Sequence, residues 1–284
     1  MTLDIDVEFP EFEILFQPIV DINLGSIHHF EALARFQSVC GKESPYDRIT
    51  SAEKVGLIGD FDLAMIRRVL GWLPTAPAVD GAPRIAVNIS GQSLGSAEWV
   101  AALCALLHDN PWSRGRLMFE ITETAHLGNL VAANAFVQRL RRLGYPVCLD
   151  DFGAGAANFE YLSSLEVDVV KLDGAAVQGG RAARKGGAFL KALVGVCRDL
   201  GVATVAEMIE DEATLVFVRD CGVRYVQGYL FGKPSADIGA FHHAIPASLF
   251  PAGGVGPGIR RTAAGHAVRP PGAMAGSGSD HAGG

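Results

Sequence analysis

Two adjacent carboxylates, Asp150 and Asp151, follow a short apolar segment at residues 145–149 and precede a glycine-bearing loop. The composition of this segment predicts a buried strand. Neighbouring carboxylates repel each other, and burying either one without a partner is unfavourable, so a bound cation is the simplest way to hold both. Alternatively, one of the two residues only caps the following helix, and the pair by itself does not exclude this.

Similar polar residues recur in the other predicted strands. Eight strand-like runs occupy residues 12–20, 27–35, 84–90, 116–122, 145–149, 167–173, 202–208 and 225–231. In the second run, alternation places Glu31 on the same face as His29 and Leu33, where an acid among apolar neighbours needs an explanation. The runs and their ends carry Glu31, Asn88, Glu120, Asp150, Asp151, Lys171, Glu207 and Gln227.

Helical segments separate most of these strands, at residues 51–57, 60–73, 93–107, 130–143, 188–200 and 211–220, whereas residues 37–50 have a loop-like composition. This alternation predicts an α/β fold, a TIM-like (β/α)₈ barrel, in which the strand ends converge on one face. Pro18 lacks a backbone donor, so we expect the first strand to lie at an edge or to end its pairing there.

The converging acids and the Asn88 amide form an all-oxygen ligand set, which suits Mg²⁺ or Mn²⁺ better than zinc. If Asp150 bridges, the set suffices for two ions, an arrangement that serves in-line displacement at phosphorus. Lys171 fits as a cation near the nucleophile or the developing oxyanion. A structural ion pair of Lys171 with Asp173 or Glu207 is the alternative.

Composition limits the class of protein. In 284 residues, 49% are hydrophobic and 19% charged, which supports a substantial core, and the net charge of -7 argues against a general nucleic-acid binder. Five scattered cysteines and the lack of a signal peptide or membrane-spanning run predict a reduced, cytoplasmic protein with no membrane association. We expect a flexible N-terminus at 1–10 and a disordered tail at 249–284, since the last 34 residues contain ten glycines and four prolines.

The motifs together resemble the EAL-domain family of bacterial cyclic di-GMP phosphodiesterases. The matching segments, in the family's order, are FQPIV, FEALARF with the namesake Glu31-Ala32-Leu33, VNIS, FEITET, LDDFGAG, VKLD, AEMIE and QGYLFGKP. The resemblance covers residues 12–234 and implies an EAL domain at 11–248, with the first strand of the barrel antiparallel.

The resemblance also assigns roles to individual residues. It implies that Glu31, Asn88, Glu120 and Asp150 hold one metal, and that Asp150, Asp151 and Glu207 hold or border a second. Glu207, Lys171 and Glu210 are the implied catalytic residues, with Lys171 contacting the attacking water and Glu207 most like a general base. The implied substrate-binding residues are Gln17, Leu33, Arg35 and Gln227, and Glu123 anchors the loop after Asp151. The implied reaction is hydrolysis of cyclic di-GMP to linear pGpG. The implied assembly is a homodimer. We expect a regulatory protein partner, or a missing portion of a longer protein, to control the activity.

Three departures from the family pattern leave every metal ligand in place. The common DFGTGYSS is here DFGAGAAN, which loses the aromatic residue and both serines at residues 156–158. AEGVE is AEMIE, with Met208 for glycine, and an arginine that often follows the aspartate of the VKLD segment is Gly174. If position 208 needs a positive φ, methionine there costs about 1 kcal/mol or more and tilts Glu207.

A non-catalytic cyclic di-GMP receptor or interaction scaffold is therefore the alternative function. A metal-dependent barrel that acts on another phosphodiester would require the motif matches to be coincidental.

Overall fold

The computed structural model of the chain describes residues 11–36, 44–79, 81–122, 129–153, 158–243 and 249–250. Eight strands close a barrel in sequence order, which confirms the predicted TIM-like (β/α)₈ architecture. The strands are β1 (Phe12–Asp21), β2 (Ser26–Phe36), β3 (Ile85–Ile89), β4 (Leu117–Thr122), β5 (Val147–Phe152), β6 (Val169–Leu172), β7 (Ala203–Ala206) and β8 (Tyr225–Gln227).

Strand β1 runs antiparallel to both of its neighbours, as expected, but it is not an edge strand. It pairs with β2 along its whole length and with β8 only at residues 19–21. Pro18 lies between this short β8 ladder and an isolated bridge from Phe16 to Ser235. The missing donor of Pro18 therefore coincides with a gap in the pairing, so the barrel closes without losing a ladder hydrogen bond.

Helices on the outside of the barrel connect the strands. They are α1 (Pro45–Val55), α2 (Ile58–Trp72), α3 (Gly91–Leu94), α4 (Ala97–Asp109), α5 (Leu130–Arg142), α6 (Asn158–Ser164), α7 (Gly174–Ala182), α8 (Gly186–Asp199) and α9 (Glu212–Asp220). The prediction of a loop through residue 50 was wrong, because α1 begins at Pro45, where proline suits the first helical turn. Helix α7 was also missed: its glycines weaken the helical pattern, and Asp173 supplies the cap by accepting from the Ala176 amide.

Two layers of side chains fill the inside of the barrel. Each strand points one residue into a layer at the carboxyl ends of β2 to β8, and the residue two positions away into a layer nearer the other end. The second layer is mostly apolar and contains Ile19, His29, Ala86, Met118, Cys148, Val169, Val205 and Tyr225. A larger hydrophobic core lies between the strands and the helices.

Several expectations fall at the ends of the chain. The predicted flexible N-terminus and all but two residues of the predicted tail lie outside the described residues. Leu249 is buried and Phe250 packs against the core, so these two tail residues contact the barrel.

The four described cysteines are free thiols. Within the described ranges, no helix has the length and apolar character needed to cross a bilayer.

Candidate active site

The layer of inward-pointing residues at the carboxyl ends of the parallel strands is polar on every strand. It brings together one residue from each strand, and all eight were predicted from the sequence: Gln17, Glu31, Asn88, Glu120, Asp150, Lys171, Glu207 and Gln227. Strand register sets the neighbours, since Gln17 lies opposite Glu31 and Asn88 opposite Glu120. The alternation of the barrel wall thus produces a closed polar ring above an apolar layer.

Lys171 lies at the centre of this ring and is only 1% exposed. Its Nζ lies 2.8 Å from a Glu207 oxygen, 3.1 Å from Glu120, and 3.2 Å from both Glu31 and Asp150. Burial alone would lower the pKa of Lys171, but these carboxylates raise it well above its usual value. The ammonium group therefore remains charged. Of the two alternative partners, Glu207 pairs with Lys171, whereas Asp173 caps α7.

A β-bulge brings both members of the Asp150–Asp151 pair to the site. Pairing of β5 with β6 passes from Leu149–Val170 to Phe152–Leu172, so two residues of β5 stand against the single residue Lys171. Asp151 has a φ of 57°, a left-handed conformation that aspartate tolerates better than most residues. Its amide donates to Asp150 Oδ1 at 3.0 Å. Regular pairing would send consecutive residues to opposite faces, and the bulge avoids this.

The carboxylates form two groups that could each hold a metal ion. Glu31, Glu120 and Asp150 make up one group, and Asp150, Asp151 and Glu207 the other, with ligand oxygens in each group within 4.8 Å of one another. Five carboxylates and one ammonium carry a formal charge of -4, which two divalent cations would neutralise. The five carboxylates offer only oxygen ligands, which is the donor chemistry that a hard cation prefers.

Two buried oxygens support a fit to such an ion. Asn88 Oδ1 and Glu120 Oε1 are buried and accept no hydrogen bond from the described residues. The Asn88 amide nitrogen instead donates to Glu31 Oε1 at 2.8 Å, which turns its oxygen away from Glu31. A buried acceptor without a donor is unfavourable, and coordination of a cation would satisfy both oxygens.

The pKa values of the acids differ strongly. Burial raises the pKa of Glu120 well above its usual value, although Lys171 opposes this. Burial also raises the pKa of Asp151 to about 6, with Asp150 adding to the shift, and that of Glu207 to about 7. For Glu31 the effect of burial is outweighed by Lys171 and by hydrogen bonds from Gln227 and Asn88, so its pKa is lowered. Burial therefore moves the pKa values of both Glu207 and Asp151 towards neutral pH, where an acid can exchange a proton.

Two glutamines orient Glu31. The Gln227 amide donates to Glu31 Oε2 at 2.7 Å and lies 3.1 Å from Gln17 Oε1, while Gln17 donates to the Gly232 carbonyl at 3.3 Å. Gly228 follows directly, and a Cβ there would overlap the backbone of Ile209. Glycine at 228 therefore lets the end of β8 lie close to the segment that carries Glu207.

A cleft of about 300 Å³ opens above the ring and is lined by Leu33, Glu210, Met208 and Tyr229 together with ring residues. Glu210 is exposed there. Arg35 is not among the lining residues, and its guanidinium donates to the Ala34 carbonyl at 2.8 Å. The substrate contact of Arg35 stays a prediction.

Some residues at the site were not predicted, and others lie outside the described residues. Tyr229 is 55% exposed at the cleft, and although it belongs to the QGYLFGKP segment, no role was predicted for it. His29 was expected to be an ordinary strand residue, but its Nε2 lies 3.8 Å from Glu120 Oε1. Its only sequence signal is its position two residues before Glu31. Glu123 and the changed loop residues 156 and 157 lie outside the described residues, as does the Asn158 side chain.

Met208 has a φ of 54°, the left-handed conformation considered for this position. Its side chain is 53% exposed and lies over Gly174. The glycine-to-methionine departure therefore occurs at a position that favours glycine, and it places a flexible apolar side chain at the rim of the cleft.

Comparison with known proteins gives a consistent result. The family described as EAL domain matches residues 2–234. The cyclic di-GMP phosphodiesterase PdeB of Shewanella oneidensis is 34% identical over 230 residues, which make up 80% of this chain and 27% of PdeB. The cyclic di-GMP phosphodiesterase NbdA of Pseudomonas aeruginosa is 31% identical over 226 residues, 79% of this chain and 29% of NbdA. The chain thus spans less than a third of the length of either relative.

Solved structures share the fold. The PaMucR phosphodiesterase in complex with c-di-GMP superposes with a TM-score of 0.69 at 28% identity, covering 79% of this chain and 92% of that one. The FimX EAL domain of Pseudomonas aeruginosa bound to c-di-GMP superposes with a TM-score of 0.70 at 24% identity, covering 79% and 90%.

Proposed function

This chain belongs to the EAL domain family, and from that premise we propose that it hydrolyses cyclic di-GMP to linear pGpG with the aid of two divalent cations, Mg²⁺ or Mn²⁺. The observation that carries the proposal is the pair of carboxylate groups that share Asp150 and surround Lys171. The names of its relatives PdeB and NbdA as cyclic di-GMP phosphodiesterases support the substrate.

Each residue of the site has a separate role in the proposed reaction. Glu31, Asn88, Glu120 and Asp150 would hold one cation, and Asp150, Asp151 and Glu207 the other. When bound, the two cations supply charge neutralisation at the phosphoryl oxygens and lower the pKa of a nucleophilic water. Glu207 accepts the proton of that water, while the Lys171 ammonium donates a hydrogen bond to it. One P–O bond forms to the water oxygen as one P–O bond to a ribose oxygen breaks, and the released ribose oxygen takes up a proton from solvent.

Substrate positioning falls to the residues around the cleft. Gln17, Leu33 and Gln227 line it, and Glu210 stands at its rim. Arg35 would reach the substrate only after releasing the Ala34 carbonyl, a rearrangement of one half-buried side chain. Glu123 remains the proposed anchor of the loop after Asp151.

A second function, a non-catalytic receptor or scaffold for cyclic di-GMP, is favoured by one set of observations. Residues 156–158 lack the aromatic and hydroxyl groups of the family pattern, and Met208 adopts a left-handed conformation beside Glu207. A receptor would not need the Lys171 and Glu207 pair, however, and both are present in hydrogen-bonding contact. We therefore rank the enzyme first.

The same family membership supports further proposals on the assembly of the chain and on the regulation of its activity. We propose a cytoplasmic homodimer that responds to a regulatory protein partner or to further domains. The chain covers 27% of PdeB, so most of the length of that relative lies outside the shared region.

Incubation of purified protein with cyclic di-GMP tests the proposal. We expect pGpG to form with Mg²⁺ or Mn²⁺ and not with EDTA. Cyclic di-GMP that binds but stays intact at every metal concentration would favour the receptor. Turnover that is undiminished in chelator would exclude the metal mechanism.

A further inference from the structure

The end of the barrel opposite the polar ring contains a cavity of about 470 Å³. Its wall includes Arg84, which precedes β3, and Arg114 and Arg116, which precede β4, together with His28 of β2. The apolar layer inside the barrel separates this cavity from the carboxylates. The cavity is therefore distinct from the cleft proposed to bind cyclic di-GMP.

The three arginines carry positive charge that the described residues do not neutralise. None of the three guanidinium groups forms an ion pair with a carboxylate in the described part of the chain. Arg116 Nη2 donates to the Leu73 carbonyl at 2.9 Å, but its Nε is buried without a hydrogen-bond partner. Leu73 thus holds the Arg116 guanidinium in place at the wall of the cavity, whereas the Arg84 and Arg114 side chains are exposed.

The acidic group nearest to these arginines is already engaged. Asp21 lines the same cavity, but its Oδ2 accepts from Arg224 at 2.7 and 3.0 Å, and its Oδ1 accepts from the Asn23 and Leu24 amides at 2.9 and 3.1 Å. Asp21 therefore has no free lone pair directed to a further cation. Among the described residues that line this cavity, three arginines stand against one aspartate, in a chain whose net charge is -7.

A planar aromatic surface adjoins the arginines. The His28 ring stacks on Tyr225 with a centroid distance of 4.2 Å and an interplanar angle of 23°. Burial, with help from Arg84, lowers the pKa of His28 to about 4, so the imidazole is neutral at physiological pH. A second cavity of about 370 Å³ shares His28, His29, Arg84 and Gly115 with the first, and Tyr225 also lines it. The two cavities form one groove with a cationic part and an aromatic part. Asp168 also lines the second cavity, but its carboxylate is paired with Arg141 at 3.0 Å.

We propose that this groove binds a nucleoside di- or triphosphate, with the phosphates at Arg84, Arg114 and Arg116 and the base against the His28–Tyr225 pair. Guanidinium groups bind phosphate oxygens with paired, charge-assisted hydrogen bonds. Stacking on an aromatic face accepts any base. The volume lies within the ~300 to 1,000 Å³ that is usual for small-molecule sites.

Calorimetric titration of the whole chain in EDTA tests the proposal, because the chelator removes any metal-bridged binding of phosphate at the carboxylates. The probes are ATP, GTP, inorganic pyrophosphate and the phosphate-free nucleosides. We expect a nucleotide to bind, pyrophosphate to bind more weakly, and the nucleosides not to bind measurably. Raising the salt concentration should weaken binding.

The double variant Arg84→Ala with Arg114→Ala should weaken nucleotide binding by about tenfold or more, since each guanidinium supplies charge-assisted hydrogen bonds. Both side chains are exposed, so their removal should leave the fold intact. The matched control, Arg67→Ala with Arg184→Ala, removes the same charge from exposed positions elsewhere and should leave affinity within twofold. Arg84→Lys with Arg114→Lys, which keeps the charge but not the planar fork, should give an intermediate affinity.

Three results would overturn the proposal. One is no binding of any phosphate probe up to millimolar concentration. Another is equal weakening by the control pair, which would mean that only net charge matters. Equal affinities for pyrophosphate and both nucleotides would remove the base from the assignment. None of these depends on phosphodiesterase activity, so the proposed function can fail or succeed separately.

Discussion

The side chain of Met208 occupies the space that any side chain at Gly174 would need. A Cβ added to Gly174 would overlap Cγ and Sδ of Met208 and lie 2.7 Å from its Cβ. Both residues depart from the family pattern, one from glycine to a long side chain and the other from a long side chain to glycine. The two departures therefore compensate each other sterically and belong to one packing arrangement at the rim of the cleft.

Gly174→Arg should destabilise the fold by about 1 to 3 kcal/mol, because the new side chain must displace Met208. In a Met208→Gly background the same change should be much less destabilising. Urea unfolding of the four proteins gives the coupling energy between the two positions.

Gly179→Arg is the matched control, since it lies on the same helix α7 and an added Cβ would meet no atom within 4 Å. We expect this change to have little effect in either background. Additive effects of Gly174→Arg and Met208→Gly would show that the two positions are independent.

Divalent cations should stabilise the folded chain. Saturation at 100 times the dissociation constant adds about 2.7 kcal/mol to the free energy of unfolding. Asp150→Asn should abolish the shift in melting temperature with Mn²⁺, because Asp150 belongs to both carboxylate groups, whereas Asp151→Asn should remove only part of it. An unchanged shift in Asp150→Asn would contradict the shared-ligand assignment.

Glu207→Gln should lower turnover of cyclic di-GMP by about 100-fold or more at saturating Mn²⁺, since the change removes a base and a charge. The amide oxygen can still accept from Lys171, so the melting temperature without metal should stay close to that of the wild type. Single-turnover measurement of pGpG separates chemistry from binding. A rate within twofold of the wild type would assign the base to another residue.

Asp62 should make stability depend on pH. Burial raises its pKa to about 7, although it accepts from Ser93 Oγ at 2.6 Å and from the Ser90 amide at 2.9 Å. The unfolded carboxyl titrates near 3.9. Between about pH 4 and 7 the folded state keeps a proton that the unfolded state releases, so the free energy of unfolding falls as pH rises through this window. The slope reaches about 1.4 kcal/mol per pH unit.

Asp62→Asn should remove this contribution, and its stability relative to the wild type should increase from pH 4 to pH 8. Denaturant unfolding in EDTA measures both profiles. Asp60→Asn, an exposed change on the same helix, serves as the control. Parallel profiles for the wild type and Asp62→Asn would assign the pH dependence to other groups.

The changed loop at residues 156–158 provides a further test. Restoring Tyr, Ser and Ser there should raise activity most at low Mg²⁺ and least at saturation, if the native sequence reduces the fraction of chains that are competent to bind metal. The same rate for the restored and native proteins at every Mg²⁺ concentration would mean that this loop does not limit activity.

Sequence patterns predicted the barrel and its polar ring because both depend on a simple period. Glu31, Glu120 and Lys171 each lie two residues after another inward-pointing residue, and alternation along a strand is visible without a structure. Helix α7 was not predicted because its glycines weaken the helical pattern in the sequence. The helix forms nevertheless, and the Asp173 cap stabilises its first turn.

The arrangement of Asp150 and Asp151 could not be predicted in the same way. Regular alternation would separate them, and only the bulge opposite Lys171, with Asp151 in a left-handed conformation, brings both to one side. Likewise the contact of Met208 with Gly174 joins positions 34 residues apart, and neither residue type identifies the other. Bulges and long-range contacts depend on tertiary packing that local sequence does not encode.

The reversed direction of β1 has a consequence for how the barrel can be built into larger proteins. Phe12 pairs with Phe36, at the carboxyl end of β2, so the chain enters the barrel at the rim of the cleft. In a regular (β/α)₈ barrel the first strand would begin at the far end. Any domain joined ahead of Phe12 is therefore connected to the barrel at the cleft end, through the strand that carries Gln17, and not at the far end.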